Sequence, residues 1–290
     1  MRIVQTISSL QKALDGLPHF SPSLAFVPTM GALHQGHLNL VKAAKSMANN
    51  VVASIFVNPT QFNNPSDFAK YPKSLEADIA LLEAEGTDIL FLPTVEEIYP
   101  NGLASTLQYP LGQLENLLEG AHRPGHFQGV CQVVHRLLEA VQPGILCMGQ
   151  KDFQQCMVVQ QLIDYLGMPI KMHIVPTMRE PDGLAMSSRN RRLSEADKQT
   201  ALAMIDQLRL MAAQPNPLHF REMEQAATRD LLEAGYTSVD YVSIAVADTL
   251  QPAQEQDANR PLVALAAAFL GEVRLIDNVL LPLSNHGNLS

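Results

Sequence analysis

The chain has 290 residues, 47% of them hydrophobic and 17% charged, with a formal net charge of −9. That length suits one large domain plus a smaller one, and the composition is that of a globular protein. The acidic balance excludes a general affinity for nucleic acid or an anionic membrane, whose phosphates it repels, though a local basic patch could still hold a small polyanion.

The opening residues MRIVQTISSLQKALDG lack the continuous apolar core of a signal peptide. The longest apolar runs, 51–57 and 263–270, are too short to cross a bilayer. Cys131, Cys147 and Cys156 form an odd set without paired spacing, so buried, reduced thiols and a cytoplasmic location are expected.

Short apolar runs at 24–28, 51–57, 88–92, 145–148 and 170–175 alternate with helical periodicity at 37–48, 74–85, 127–141 and 153–166. In the first helical stretch Leu40, Val41, Ala44, Met47 and Ala48 form an apolar stripe, opposite Asn39, Lys42, Lys45 and Ser46. Gly86 and Gly167 stand where helices should stop. The pattern predicts an α/β fold, a Rossmann-like parallel sheet with helices on both faces.

After about residue 190 the order changes. Ser194-Glu195-Ala196-Asp197 reads as a helix start, with a capping hydroxyl and acidic residues in the first turn. Helical stretches to 210 and over 220–234 precede strand-like runs at 241–244, 262–269 and 273–276. Helices followed by strands predict a smaller C-terminal α+β domain, with boundaries of 1–178 and 179–290. Pro215-Asn216-Pro217 and the tail 284–290 are expected to be mobile surface.

The unusual residues fall in loops after predicted strands, where open α/β sheets place ligands. The first strand leads into Met30-Gly31-Ala32-Leu33-His34-Gln35-Gly36-His37, the second into Asn58-Pro59-Thr60-Gln61 and on to Pro65. A later one leads into Gly149-Gln150-Lys151-Asp152, and the last into Met178-Arg179, then Met186-Ser187-Ser188-Arg189. Gly31 and Gly36 have the G-x-x-x-x-G spacing of a phosphate loop, but His37 occupies its lysine position. A helix N-terminus favours anions, and a histidine there can donate to a phosphoryl oxygen.

Each loop has a plainer alternative: a tight glycine turn, a proline connector, an Asp-capped helix start, a solvated run of arginines. Read chemically, Asn58 and Gln61 offer donors and acceptors for a hydroxy acid, and Lys151 offers a point charge for phosphate. Ser187, Ser188 and Arg189 suit a polyphosphate, with Gly183 letting their loop move over a nucleotide. Arg191 and Arg192 read as surface. His34, His37, His122 and His126 also have metal-ligand spacings; glycine-rich surroundings without positioned cysteine or carboxylate favour phosphate.

The segments PTMGALHQGH, FVNPTQF, EGAHRPGHFQGV, GQKDFQQ and DGLAMSSRNRRL, in this order, resemble the pantoate–β-alanine ligase family. The similarity runs to Leu193, weakens over 194–260 and returns in RLIDN at 274–278. The resemblance implies an ATP-dependent ligase acting through an acyl adenylate, with ATP as substrate, Mg²⁺ carried mainly by its phosphates, no tightly bound prosthetic group and a homodimer. It implies that Met30, Gly31, Ala32, Leu33, His34, Gln35, Gly36 and His37 hold the nucleotide, with His37, His34 and Lys151 catalytic. Gly149, Gln150, Lys151, Asp152 and Met178 would also contact ATP, and Met186, Ser187, Ser188 and Arg189 would close over its phosphates. Gln61 would bind pantoate and β-alanine, and Gln155 pantoate. Gln150 and Gln128 depart from the acidic and basic residues common in the family, with small effects expected on loop packing or charge. Two rivals stand beside this reading: an adenylyltransferase acting on a phosphorylated acceptor, and a nucleotide sensor without turnover.

Overall fold

The computed structural model describes residues 1–17, 24–63, 68–72, 74–103, 107–213 and 215–282. Asn64 and Pro65 of the second loop and the tail 284–290 lie outside the described residues. Contacts divide the chain into two compact units: Met1–Asn116, Arg123–Gln150 and Gln155–Met178 form one, and Leu117–His122, Lys151–Gln154 and Arg179–Ser290 form the other.

The first unit holds a six-stranded parallel sheet of order β1-β4-β3-β2-β5-β6. Its strands are β1 (Arg2–Val4), β2 (Leu24–Thr29), β3 (Asn50–Ile55), β4 (Ile89–Phe91), β5 (Ile145–Gly149) and β6 (Lys171–Val175). Its helices include α1 (Ile7–Asp15), α2 (Gln35–Met47), α3 (Leu75–Ala84), α4 (Val95–Ile98), α6 (His126–Val141) and most of α7 (Phe153–Leu166); the short α5 (Leu118–His122) belongs to the other unit.

Alternation along the strands explains why both faces are covered. Phe26, Val52, Ile89, Phe91, Leu146 and Met148 enter one core with residues of α1, α6 and α7. Their neighbours Ala25, Val27, Val51, Ala53, Leu90 and Cys147 enter another with Leu40, Val41 and Ala44 of α2 and Leu82 of α3. Burial of each large side chain contributes about 1.5–3 kcal/mol. The apolar stripe of α2 is the buried one, whereas Lys42, Lys45 and Ser46 are exposed.

Strand order reverses at β2, which has β3 on one side and β5 on the other. This is the switch point at which open sheets form a crevice. β2 pairs with β5 only at Ala25 and Phe26, although β2 continues to Thr29 and β5 to Gly149. Pro28 lies beyond that pairing, so a residue unable to donate does not interrupt the β2–β5 ladder.

The second unit contains the antiparallel sheet β7 (Ser238–Val246), β8 (Leu262–Leu270), β9 (Val273–Leu281), packed with α8 (Glu195–Ala213) and α9 (Phe220–Ala234). Ser194 caps α8 as expected, its Oγ accepting from Asp197 N–H at 3.1 Å. Gly86 and Gly167 adopt positive φ angles of 75° and 61° at helix ends. β7 and β9 extend well past the expected runs. Asp277 and Asn278, which looked like a strand end, are buried inside β9 with hydrogen-bond partners. β1 and α1 were not anticipated; a three-residue strand carries too short a pattern. Among the described residues no helix is long and apolar enough to cross a membrane.

Candidate active site

The loop leaving β2 turns on two consecutive left-handed residues, Gly31 at φ 81° and Ala32 at φ 51°. A Cβ at Gly31 would stand 3.1 Å from Ile55 Cγ2 and 3.2 Å from an Asp78 oxygen. Ala32 carries the strain of an unfavourable conformation, of order 1–3 kcal/mol. Asp78 of α3, 1% exposed, offsets it: Oδ2 accepts from Ala32 N–H and Oδ1 from Leu33 N–H, each at 2.8 Å. Ser74 Oγ donates to the same carboxylate at 3.0 Å.

The consequence is chemical. A phosphate loop presents its N–H groups to the anion, but here Ala32 and Leu33 already donate to Asp78. At the start of α2 the side chains take over. His34 is the N-cap, its Nδ1 accepting from Gly36 N–H at 3.2 Å, and His37 Nδ1 accepts from His34 N–H at 3.3 Å. With Nδ1 an acceptor, each neutral ring carries its proton on Nε2. The rings lie 4.1 Å apart between centroids with their planes tilted by 44°, at a helix N-terminus beside the sheet's switch point. The two rings thus stand at the start of α2, each with Nδ1 engaged by a main-chain N–H.

The second loop is a 3-10 turn, Pro59–Gln61, capped by Asn58. Asn58 is 1% exposed, and its amide is committed internally: Oδ1 accepts from Tyr99 O–H at 2.7 Å, and Nδ2 donates to Gly129 O and Gln61 Oε1, both at 3.1 Å. It thus orients Gln61 rather than offering itself to a ligand, which corrects its reading as a direct binder. Gln61 is half-buried, with Nε2 3.3 Å from Met30 Sδ. Helix α6 supports the turn from below. A Cβ at Gly129 would fall 2.4 Å from Thr60 O, and the ring of His126 meets Gln61 O at 2.8 Å, so its Nδ1 donates. A glycine inside a helix costs about 1 kcal/mol relative to alanine, a signal that could have flagged Gly129 in the sequence.

Gln128, one of the family departures, clasps Tyr109 through both main-chain groups, at 2.9 Å and 3.0 Å, and donates to Glu115. A lysine or arginine there could not accept from Tyr109 N–H. Gln155 is half-buried in the first turn of α7, and Gly149, Gln150 and Met178 are also half-buried. Next to Met178 the hydroxyl of Thr177 is buried with no hydrogen-bond partner.

In the second unit Lys151 is half-buried and Asp152 exposed. Ser187 caps the 3-10 helix Ser188–Arg192, and Asn190 Nδ2 donates to Ala185 O at 3.0 Å. Gly183 adopts φ 107° in a tight hairpin closed by the Arg179–Ala185 bridge. The hairpin base is tied by an Arg179–Asp277 fork at 2.6 Å and 3.0 Å.

The four-histidine metal reading is not supported. His126 is engaged with Gln61 O, and His122 lies 3.7 Å from Asp240. Among the described residues no group of three or more His, Cys, Asp and Glu could hold a metal ion. The three cysteines are buried and none forms a disulfide, and burial pushes Cys131 up to about 12 and Cys147 to about 11, so neither of these two thiols is a nucleophile at neutral pH.

The chain matches the model of the Pantoate-beta-alanine ligase family over residues 2–280. The chain belongs to this family. Pantothenate synthetase of Hydrogenovibrio crunogenus is 41% identical over 98% of this chain and 100% of its own length, and that of Aeromonas hydrophila 44% identical over 96% and 97%. A crystal structure of pantothenate synthetase from Thermus thermophilus aligns with a TM-score of 0.87 at 43% identity, covering 96% of this chain and 99% of that one. A pantoate–β-alanine ligase from Francisella tularensis, complexed with Beta-gamma ATP and β-alanine, aligns with a TM-score of 0.81 at 37% identity over 97% of each chain.

Two substitutions test the supports of the site. Asp78→Asn leaves one oxygen for two main-chain donors and turns an amide N–H₂ toward the other. Denaturant unfolding should show a loss of about 1–3 kcal/mol, with lower ATP-dependent turnover; unchanged values for both would contradict the role of the carboxylate. Gly129→Ala forces the Thr60–Gln61 main chain to move and should cost about 1–3 kcal/mol of stability. A variant structure should show that turn displaced from α6.

Proposed function

We infer that this chain condenses pantoate with β-alanine, consuming ATP and releasing AMP and diphosphate. The pantoate carboxylate attacks the α-phosphorus of ATP, diphosphate leaves, and pantoyl adenylate forms. The amine of β-alanine then attacks the activated carbonyl, AMP leaves, and the amide of pantothenate results. No protein nucleophile is required, so catalysis rests on positioning and charge stabilisation.

The observation that carries the residue assignment is the pair of Nδ1-anchored histidines at the start of α2. Their Nε2–H groups suit the phosphates of ATP, with His37 as general acid and His34 beside it. Met30, Gly31, Ala32, Leu33, Gln35 and Gly36 shape the nucleotide site around them. Gly31, Ala32 and Leu33 are buried, which fits a scaffold role rather than direct donation. Gly149, Gln150 and the main chain of Met178 contact the nucleoside, a reading supported by the family resemblance. Gln61 receives both acids, and Gln155 pantoate. In the second unit Lys151 supplies positive charge to the phosphates and Asp152 meets the ribose. Met186, Ser187, Ser188 and Arg189 hold the β- and γ-phosphates, with a nucleotide- and pantoate-binding N-terminal domain and a lid-like C-terminal domain.

Mg²⁺ would arrive on the nucleotide, with phosphate oxygens as its main ligands. A cytoplasmic homodimer without a prosthetic group completes the proposal, on the strength of the family resemblance.

AMP release measured with ATP, pantoate and β-alanine, each acid omitted in turn, tests the reaction. The ligase reading requires AMP that depends on both acids; a stable dinucleotide product indicates an adenylyltransferase, and ATP binding without turnover a sensor. His37→Ala and Lys151→Ala should each lower turnover about 10²–10³-fold, and losses below about tenfold in both would remove the proposed roles.

A further inference from the structure

Strand β9 contains RLIDN, and nothing in the reaction as described uses it. Side chains alternate along a strand, so Arg274 and Asn278 share one face and Asp277 takes the other. All three hold segments of the second unit that carry proposed nucleotide contacts.

On the first face Asn278, 2% exposed, donates from Nδ2 to the main-chain oxygen of Lys151 at 3.0 Å. Arg274 makes a fork to Glu119, both contacts 2.8 Å, and donates from Nε to Asp240 at 2.7 Å. Tyr241 O–H donates to the same Glu119 carboxylate at 2.8 Å. Glu119 N–H in turn donates to Gln154 Oε1, and Gln154 Nε2 to Leu117 O, each at 2.9 Å. The segment Lys151–Gln154 is therefore fixed at both ends: Lys151 directly by Asn278, Gln154 through the segment that Arg274 anchors. On the opposite face Asp277 receives the Arg179 fork at the base of the hairpin that precedes Ser187.

A lysine stem has four rotatable bonds, so fixing its main chain narrows the volume its ammonium must search. We propose that Asn278 is a positioning residue for Lys151, its amide holding the Lys151 carbonyl so that the side chain leaves the 3-10 turn in the direction phosphate binding requires. This rests on the assignment of Lys151 to the nucleotide. The RLIDN strand then acts on the reaction without touching substrate. A displacement of about 1 Å at such a contact is enough to cost up to a hundredfold in rate.

The test compares Asn278→Ala, Asn278→Ser, Lys151→Ala and the double variant Lys151→Ala/Asn278→Ala, with ATP and pantoate kinetics and thermal unfolding measured for each. Asn278→Ala, and Asn278→Ser whose short hydroxyl cannot reach, should lower kcat/KM for ATP about ten- to a hundredfold while leaving the KM for pantoate nearly unchanged. In the Lys151→Ala background the Asn278 change should add less than about a twofold loss, because coupled residues are non-additive. A merely structural asparagine would instead lower stability and give a full additional loss in that background, which overturns the proposal. Folded Asn278 variants with unaltered ATP kinetics overturn it as well. If Asn278→Ala does not fold, Asn278→Ser carries the comparison. A silent Lys151→Ala removes the assignment of Lys151 and the inference together; a damaging Lys151→Ala with additive or silent Asn278 variants removes the inference alone.

Discussion

The site depends on one buried carboxylate. Asp78 accepts the N–H groups of Ala32 and Leu33 and holds the chain through two successive left-handed residues. A charged acceptor with two main-chain donors is worth about 1.5–3 kcal/mol per bond, enough to stabilise a strained bend. The same two bonds withdraw those donors from any ligand. In the proposed nucleotide site His34 and His37, each anchored through Nδ1, would then act through Nε2 at the positive end of the helix dipole.

A second arrangement repeats the logic with different chemistry. Gln61 stands on a turn pressed against α6, where Gly129 permits main-chain approach and Asn58 holds the Gln61 amide from beneath. Tyr99 completes the support by donating to Asn58; its burial raises the phenol above its ordinary range, so it remains a donor at working pH. In both places a buried polar residue with partners inside the protein fixes a loop that carries half-buried side chains. Such satisfied networks are rigid, and rigidity is what positioning requires.

Much of this was legible in the sequence, and the boundary of legibility is physical. Short continuous apolar runs marked β2 to β6, and the histidines, Gln61 and Lys151 stood out as residue types suited to chemistry or binding in loops after strands. Asp78 did not stand out: in LEADIALLEA it is one acidic residue on a helix, and its partners lie 45 and 46 positions away in the chain. Asn58 looked like a ligand because its amide is versatile; only the fold shows that each end is already occupied. RLIDN was visible as a motif, yet its role depends on which strand face each residue occupies and on segments brought to it from residues 117–122 and 151–154. Local pattern carries residue type and period, while the commitment of a hydrogen-bond donor is a property of the folded chain.

The central claim is that the two histidines present Nε2–H because Nδ1 is engaged by the main chain. Long-range ¹H–¹⁵N correlation spectra of the imidazole-labelled protein, recorded where the rings are neutral, read the tautomer of each histidine directly. The account predicts Nε2–H for both His34 and His37, against Nδ1–H for His126 as an internal contrast. Nδ1–H tautomers at His34 and His37 would contradict it, since those rings could not cap α2 and its main-chain donors would have to face the ligand themselves.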